Sequence, residues 1–167
     1  MGNDIVEIRA HVSDMIAADR ALLDPVAAQL RAQQVERIPQ ARWLLERLAA
    51  MLNAHIDELT EHLRRLGGES AAQNRSPEML ASELVNTAAP ALNEQPLARS
   101  LRNYYTALSL VHAAALMLET DARAHNYSST AAMATRHREE IATMLLSLRD
   151  LLPAAIKEEI ADERIVS

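Results

Sequence analysis

Cysteine and phenylalanine are missing from this sequence altogether, and glycine occurs only three times. Without cysteine there can be neither a disulfide nor a thiolate metal site. Aromatic residues make up 2% of the chain, so its interior has to be built from Leu, Ala, Ile, Val and Met. So few glycines among so many alanines favour helix almost throughout. No sustained alternation of β-branched and polar residues marks a strand. A basic stripe is absent too. Seventeen Lys and Arg against 23 Asp and Glu leave a net charge of −6 spread along the chain, which argues against a nucleic-acid partner. No apolar run approaches the length of a membrane span, and Met1-Gly2-Asn3-Asp4 does not read as the start of a secretory signal. These absences predict one all-α cytoplasmic domain over residues 1–167, large enough to bury a core without staples.

What is present is a near-repetition. Residues 49–59 and 131–141 both open Ala-Ala-Met and both carry a histidine four residues after the methionine, His55 and His137. Helical periodicity predicts a first helix over about residues 4–33, bent or interrupted near Pro25, and a second to Leu66, stopped by Gly67-Gly68. Residues 67–96 are polar and broken by Pro77, Pro90 and Pro96, and form a long crossover in which Ser76-Pro77-Glu78 could start one short helix. A third helix is expected over 97–124 and a fourth to Leu152, where Pro153 limits or bends it before a short helix over 153–163. Two hairpins, 4–66 and 97–152, joined by one long crossover make an antiparallel four-helix bundle, the topology on which carboxylate-bridged metal centres are commonly built.

Four polar residues interrupt the apolar stripes, one in each helix. Asp19 lies among Met15, Ile16, Leu23 and Val26; His55 beside Leu52, Ile56 and Leu59; Glu119 among Ala115, Leu116 and Ala122; His137 one turn before Ile141. Folding each hairpin at its turn brings Asp19 within a turn of His55, and Glu119 within a turn of His137. A carboxylate on a buried face is costly unless paired or neutralised. Carboxylate with neutral imidazole is a ligand set for iron, manganese or zinc. Two readings follow equally: a metal held by Asp19, His55, Glu119 and His137, or metal-free Asp19–His55 and Glu119–His137 pairs. Glu58 and Glu140, one turn beyond the histidines, and His112, two turns from Glu119, are further candidates. His62 reads as a partly exposed core histidine, His11 and His125 as solvated, and Tyr104 and Tyr105 as structural.

This order of hairpin, crossover and hairpin, with acids on the odd helices and histidines on the even ones, resembles the ferritin-like superfamily. The segment from His55 to Gly68 is similar to the end of the second helix in bacterioferritins, starved-cell ferritin-like proteins and small stress-associated ferritin-like bundles. The resemblance implies one Glu from each odd helix and Glu-x-x-His from each even helix around two irons. By position, Asp19 and Glu119 match the acids, and His55 and His137 the histidines. The bridging glutamates, however, fall on Leu52 and Ala134. The expectation is therefore a stress-associated, non-catalytic bundle with a degenerate metal site. The alternatives are iron or manganese binding in iron handling or oxidoreduction, and a metal-free helical adaptor. Ala-rich faces and Met51, Met117, Met133 and Met144 suggest close packing and a homodimer. Neither a nucleic acid nor a membrane is expected as a partner.

Overall fold

The computed structural model of the chain describes residues 4–68 and 96–166. The crossover expected over 67–96, with its short helix near Ser76, falls almost wholly outside them. Among the described residues every element is a helix: α1 (Asp4–Gln29), the single turn α2 (Gln33–Glu36), α3 (Pro39–Arg65), α4 (Leu97–Ala124) and α5 (Ser128–Val166). Helix α1 packs on α3 and α4, and α5 packs on α4 and α3, which closes a four-membered ring of long helices. None of the described helices is long and apolar enough to cross a membrane.

Local chemistry sets the boundaries. Pro39 starts α3 where its missing N–H would have had no helical partner. At the other end Gly67 adopts φ +75. The Gly67 and Gly68 N–H groups then bond back to the carbonyls of Arg64 and Leu63, at 2.9 and 3.0 Å. The same closure ends α4, with Asn126 at φ 62 in place of glycine and Tyr127 N–H reaching the Ala122 carbonyl at 2.8 Å. Asparagine tolerates this left-handed conformation better than most side chains.

Neither interior proline interrupts its helix, which removes the break from the bend or break expected at each. Helix α1 passes through Pro25 and ends at Gln29, four residues early. Helix α5 runs unbroken for 39 residues through Pro153, so the break at Leu152 and the separate last helix do not occur. In each case the apolar stripe continues on both sides of the ring, with Leu22 and Val26 around Pro25, and Leu148, Leu151 and Ala155 around Pro153, all buried. Packing of that stripe outweighs one lost backbone bond, since each fully buried Leu or Val contributes roughly 1.5–3 kcal/mol. Tyr104 also clamps α4 to α1 by donating its buried hydroxyl to the Pro25 carbonyl at 3.0 Å.

The core is split in two. Leu22, Val26, Leu45, Leu48, Leu52, Leu101, Leu108, Val111, Ile141 and Leu148 belong to one apolar cluster. Ile8, Val12, Met15, Leu59, Leu63, Leu118, Ala122 and Ala134 belong to the other. His55 and His137 fall between them along their helices, and Asp19 lies at the edge of the first, one residue past Ala18. Met133 and Met144 are core residues, whereas Met117 and Leu116 face outward at 59% and 48% exposure, so Leu116 leaves the stripe assigned to it.

Candidate functional site

Between the two apolar clusters lies a polar layer. His55 on α3 and His137 on α5 stack face to face, ring centroids 3.8 Å apart and planes 9° from parallel. Both are almost fully buried. Each imidazole reaches across to the opposite helix. His55 Nε2 bonds to Glu140 Oε2 at 2.8 Å, and His137 Nε2 bonds to Glu58 Oε2 at 2.9 Å. The near-repetition explains the exchange. Each copy contains His-x-x-Glu, His55 with Glu58 and His137 with Glu140, so the histidine and the carboxylate lie on neighbouring turns of one face. Where α3 and α5 meet, each histidine finds the other copy's glutamate.

These bonds select the tautomer. A carboxylate only accepts, so Nε2 carries the proton and Nδ1 keeps the lone pair. Both Nδ1 atoms are buried without a hydrogen-bond partner, as are both carboxyl oxygens of Asp19. Asp19 Oδ2 stands 3.9 Å from His55 Nδ1, too far for a hydrogen bond. With 0% exposure and no partner, burial pushes the Asp19 carboxyl well above its ordinary range.

The imidazoles are driven the other way. Burial, then the neighbouring His55 ring, lowers His137 to about 4, although the Glu58 hydrogen bond and the Glu58 and Glu140 charges oppose the shift. His55 is lowered mainly by burial, against the Glu140 hydrogen bond and the Glu140 and Glu58 charges. Burial alone would raise Glu58, but its bonds to His137 and to Arg136 outweigh burial and hold it below the usual carboxylate range.

Glu119 sits at the depth the sequence indicates but not in the layer. Arg138 Nε donates to one of its oxygens at 2.7 Å, and Arg123 Nη2 lies 2.7 Å from the other. The Arg138 bond is the largest influence lowering its carboxyl below the ordinary range, helped by Thr135 and Arg123 against burial. The expected Glu119–His137 pair is thus replaced by His137–Glu58 and Glu119–Arg138. Arg138 follows His137 directly, so its side chain leaves α5 about 100° round from the imidazole, toward α4. His112 is half-buried on α4 outside the exchanged pairs.

One prediction about the remaining histidines is reversed. His62 is buried, at 4% exposure, rather than partly exposed, and it is hydrogen-bonded through Nε2 to the buried Thr130 hydroxyl at 2.8 Å. Thr130 opens the fourth helix's apolar run, a signal that a polar partner awaited His62. His125 is exposed at the end of α4, with its ring about one third exposed beside Asp121.

A bridged two-metal centre does not fit these residues. Leu52 and Ala134, at the bridging positions, are fully buried and apolar. Glu119 is taken by two guanidiniums. As the side chains stand, no three His, Asp or Glu among the described residues are arranged to hold an ion. What the layer does offer is buried lone-pair donors that no protein group pairs. The chain matches no protein-family model, no curated protein and no solved structure.

Proposed function

We propose that the chain is a ferritin-like antiparallel bundle whose dinuclear centre has degenerated, and that it acts as a non-catalytic helical scaffold. Side-chain contacts between the helices support that topology. Arg9 meets Leu66, and Asp19 meets His55. Tyr104 meets Pro25, and His125 lies near Asp4. His55 meets Glu140, and His62 meets Thr130. Ala98 meets Glu159, and Arg123 meets Thr135. In each pair of neighbours the numbers rise on one helix as they fall on the other. Helices α3 and α4 therefore run the same way, which calls for a crossover returning along the bundle, as in ferritin-like connectivity.

The observation that carries the degenerate reading is the exchanged His–Glu pairing. Glu58 and Glu140 follow their histidines by three residues, whereas bridging glutamates precede theirs. They consequently bind the outer Nε2 atoms of the rings and do not link two metals. The test is aerobic oxidation of added Fe²⁺, followed by absorbance in the presence of the purified protein. Oxidation no faster than in buffer is expected. Saturable acceleration with turnover refutes the reading.

A further inference from the structure

We propose that the outward face of the α4–α5 hairpin binds a second copy of this chain, forming a closed dimer about a twofold axis that crosses both helices near mid-length. The inference goes beyond the scaffold reading and does not depend on ferritin-like connectivity.

Charge sets this face apart. No Asp, Glu, Lys or Arg occurs between Arg102 and Glu119 on α4, or between Glu140 and Arg149 on α5, in a chain that is 24% charged. The side chains that turn outward there are apolar. Leu116, Met117 and Leu146 are 48%, 59% and 53% exposed, and Ala113 is exposed as well. The Ala98–Glu159 and Arg123–Thr135 contacts fix the register of the two helices, and set Leu146 level with His112, within about one helical turn of Leu116. Folded monomers rarely expose contiguous apolar surface of any size, and the centre of an interface is where charge is depleted.

Charge also identifies the occupant. Two chains of net charge −6 repel one another, so they meet best where neither presents an acid. At the edges of the patch the signs suit self-recognition. Glu139 and Arg149 lie five residues either side of Met144, and seven before and three after Leu146, which puts both on its side of α5. Glu139 is exposed, and Arg149 is 61% exposed beside Asp150. When a second α5 lies antiparallel across the first, with the axis near Met144, Glu139 of each copy comes opposite Arg149 of the other. Arg138 comes level with Asp150 in the same way. That axis meets α4 near Ala114, where the small side chains of Ala113 and Ala114 let the copies approach and Leu116 and Met117 pack around them. Such a contact uses the same patch twice and closes at two copies.

The face is large enough. Two adjacent helices, each about 10 Å wide, over the 28 residues of α4 span about 20 by 40 Å, or roughly 800 Å² per copy, the size of an ordinary stable interface.

Sedimentation equilibrium of the full chain, over a roughly hundredfold concentration range around micromolar, tests the proposal. A single species of twice the chain mass is expected. Leu116→Glu combined with Leu146→Glu gathers carboxylates of both copies at the apolar centre, and should raise the dissociation constant by about 100-fold or more. Glu139→Arg and Arg149→Glu should each weaken association about tenfold, and the two together should restore it. Trp43→Glu, at a side chain 56% exposed on α3 and outside this face, should change nothing. Circular dichroism confirms that each variant is folded. A wild-type protein that stays monomeric or grows beyond a dimer overturns the proposal. So does a dimer that survives both leucine exchanges, or one that Trp43→Glu dissociates equally. Failure of the paired charge exchange to restore association overturns the antiparallel twofold.

Discussion

Each hairpin carries one carboxylate on an apolar helical stripe, yet Asp19 on α1 is buried with no partner while Glu119 on α4 sits between Arg123 and Arg138. Burial drives the first carboxyl up, and the guanidiniums hold the second down. What separates them is the neighbourhood rather than the stripe. Glu119 has an arginine one turn ahead and another beside His137 on the next helix. Asp19 faces an imidazole whose outer nitrogen is already spent on Glu140. A polar residue on an apolar stripe thus marks where a partner is needed without saying whether the fold supplies one.

The largest effect that sharpens this contrast is acidification. His137 is depressed from 6.5 to about 4, so between those values the unfolded chain binds the proton more readily. Stability from this group is therefore complete above pH 6.5 and falls as the pH drops toward 4, by roughly 3 kcal/mol. Burial also depresses His55 and His62, which adds in the same direction. Urea denaturation at pH 7.0 and 4.5 measures the loss, and His137→Leu should flatten it. A wild-type midpoint that does not move between the two pH values contradicts the buried neutral stack.

Asp19 carries the opposite sign. Its folded carboxyl keeps a proton that the unfolded chain releases above about 3.8, so its penalty is absent in acid and grows as the pH rises. Asp19→Asn should therefore stabilise by about 1–3 kcal/mol at pH 8, and by almost nothing at pH 3.5. Thermal melts of the two proteins at both pH values read the difference. Equal melting temperatures at pH 8 contradict a partnerless Asp19.

A polar pair beside Leu63, in the second apolar cluster, gives an intermediate case. Thr130→Val leaves His62 without its partner and should cost about 1–2 kcal/mol, measured by chemical denaturation. No change would mean that His62 finds water instead. The smallest effect is expected at Glu119. Because its arginines reach solvent, Glu119→Gln should cost less than about 1 kcal/mol. Replacing Arg123 and Arg138 with Met first should turn that loss into no change or a gain. If Glu119→Gln still destabilises in that background, the guanidiniums are not what distinguishes the two carboxylates.

Much of this arrangement is legible in the residues themselves. The stripes locate Asp19, His55 and His137 inside the bundle, and folding each hairpin at its turn places Asp19 near His55 to within a turn. The edge positions of Glu58 and Glu140 make them candidates, although nothing local says that each serves the other copy's histidine. Glu119 shows the limit in another way. Its depth is readable, but its partners depend on which way Arg138 leaves α5. The prolines fail as helix stops for a related reason, since a local break signal competes with an apolar stripe whose packing energy appears only when neighbouring helices are in place.

Propensity and periodicity act within a few turns of one chain segment, so the sequence suffices for helix as the only regular structure among the described residues, for the four apolar stripes, and for which polar residues are forced into the interior. Tertiary structure alone decided that His55 takes Glu140 and His137 takes Glu58, 85 and 79 residues away. It also decided which ring nitrogens are left free. Those outcomes depend on how α3 and α5 meet, and a shift of one residue turns a side chain by about 100°, enough to carry it from one partner to another.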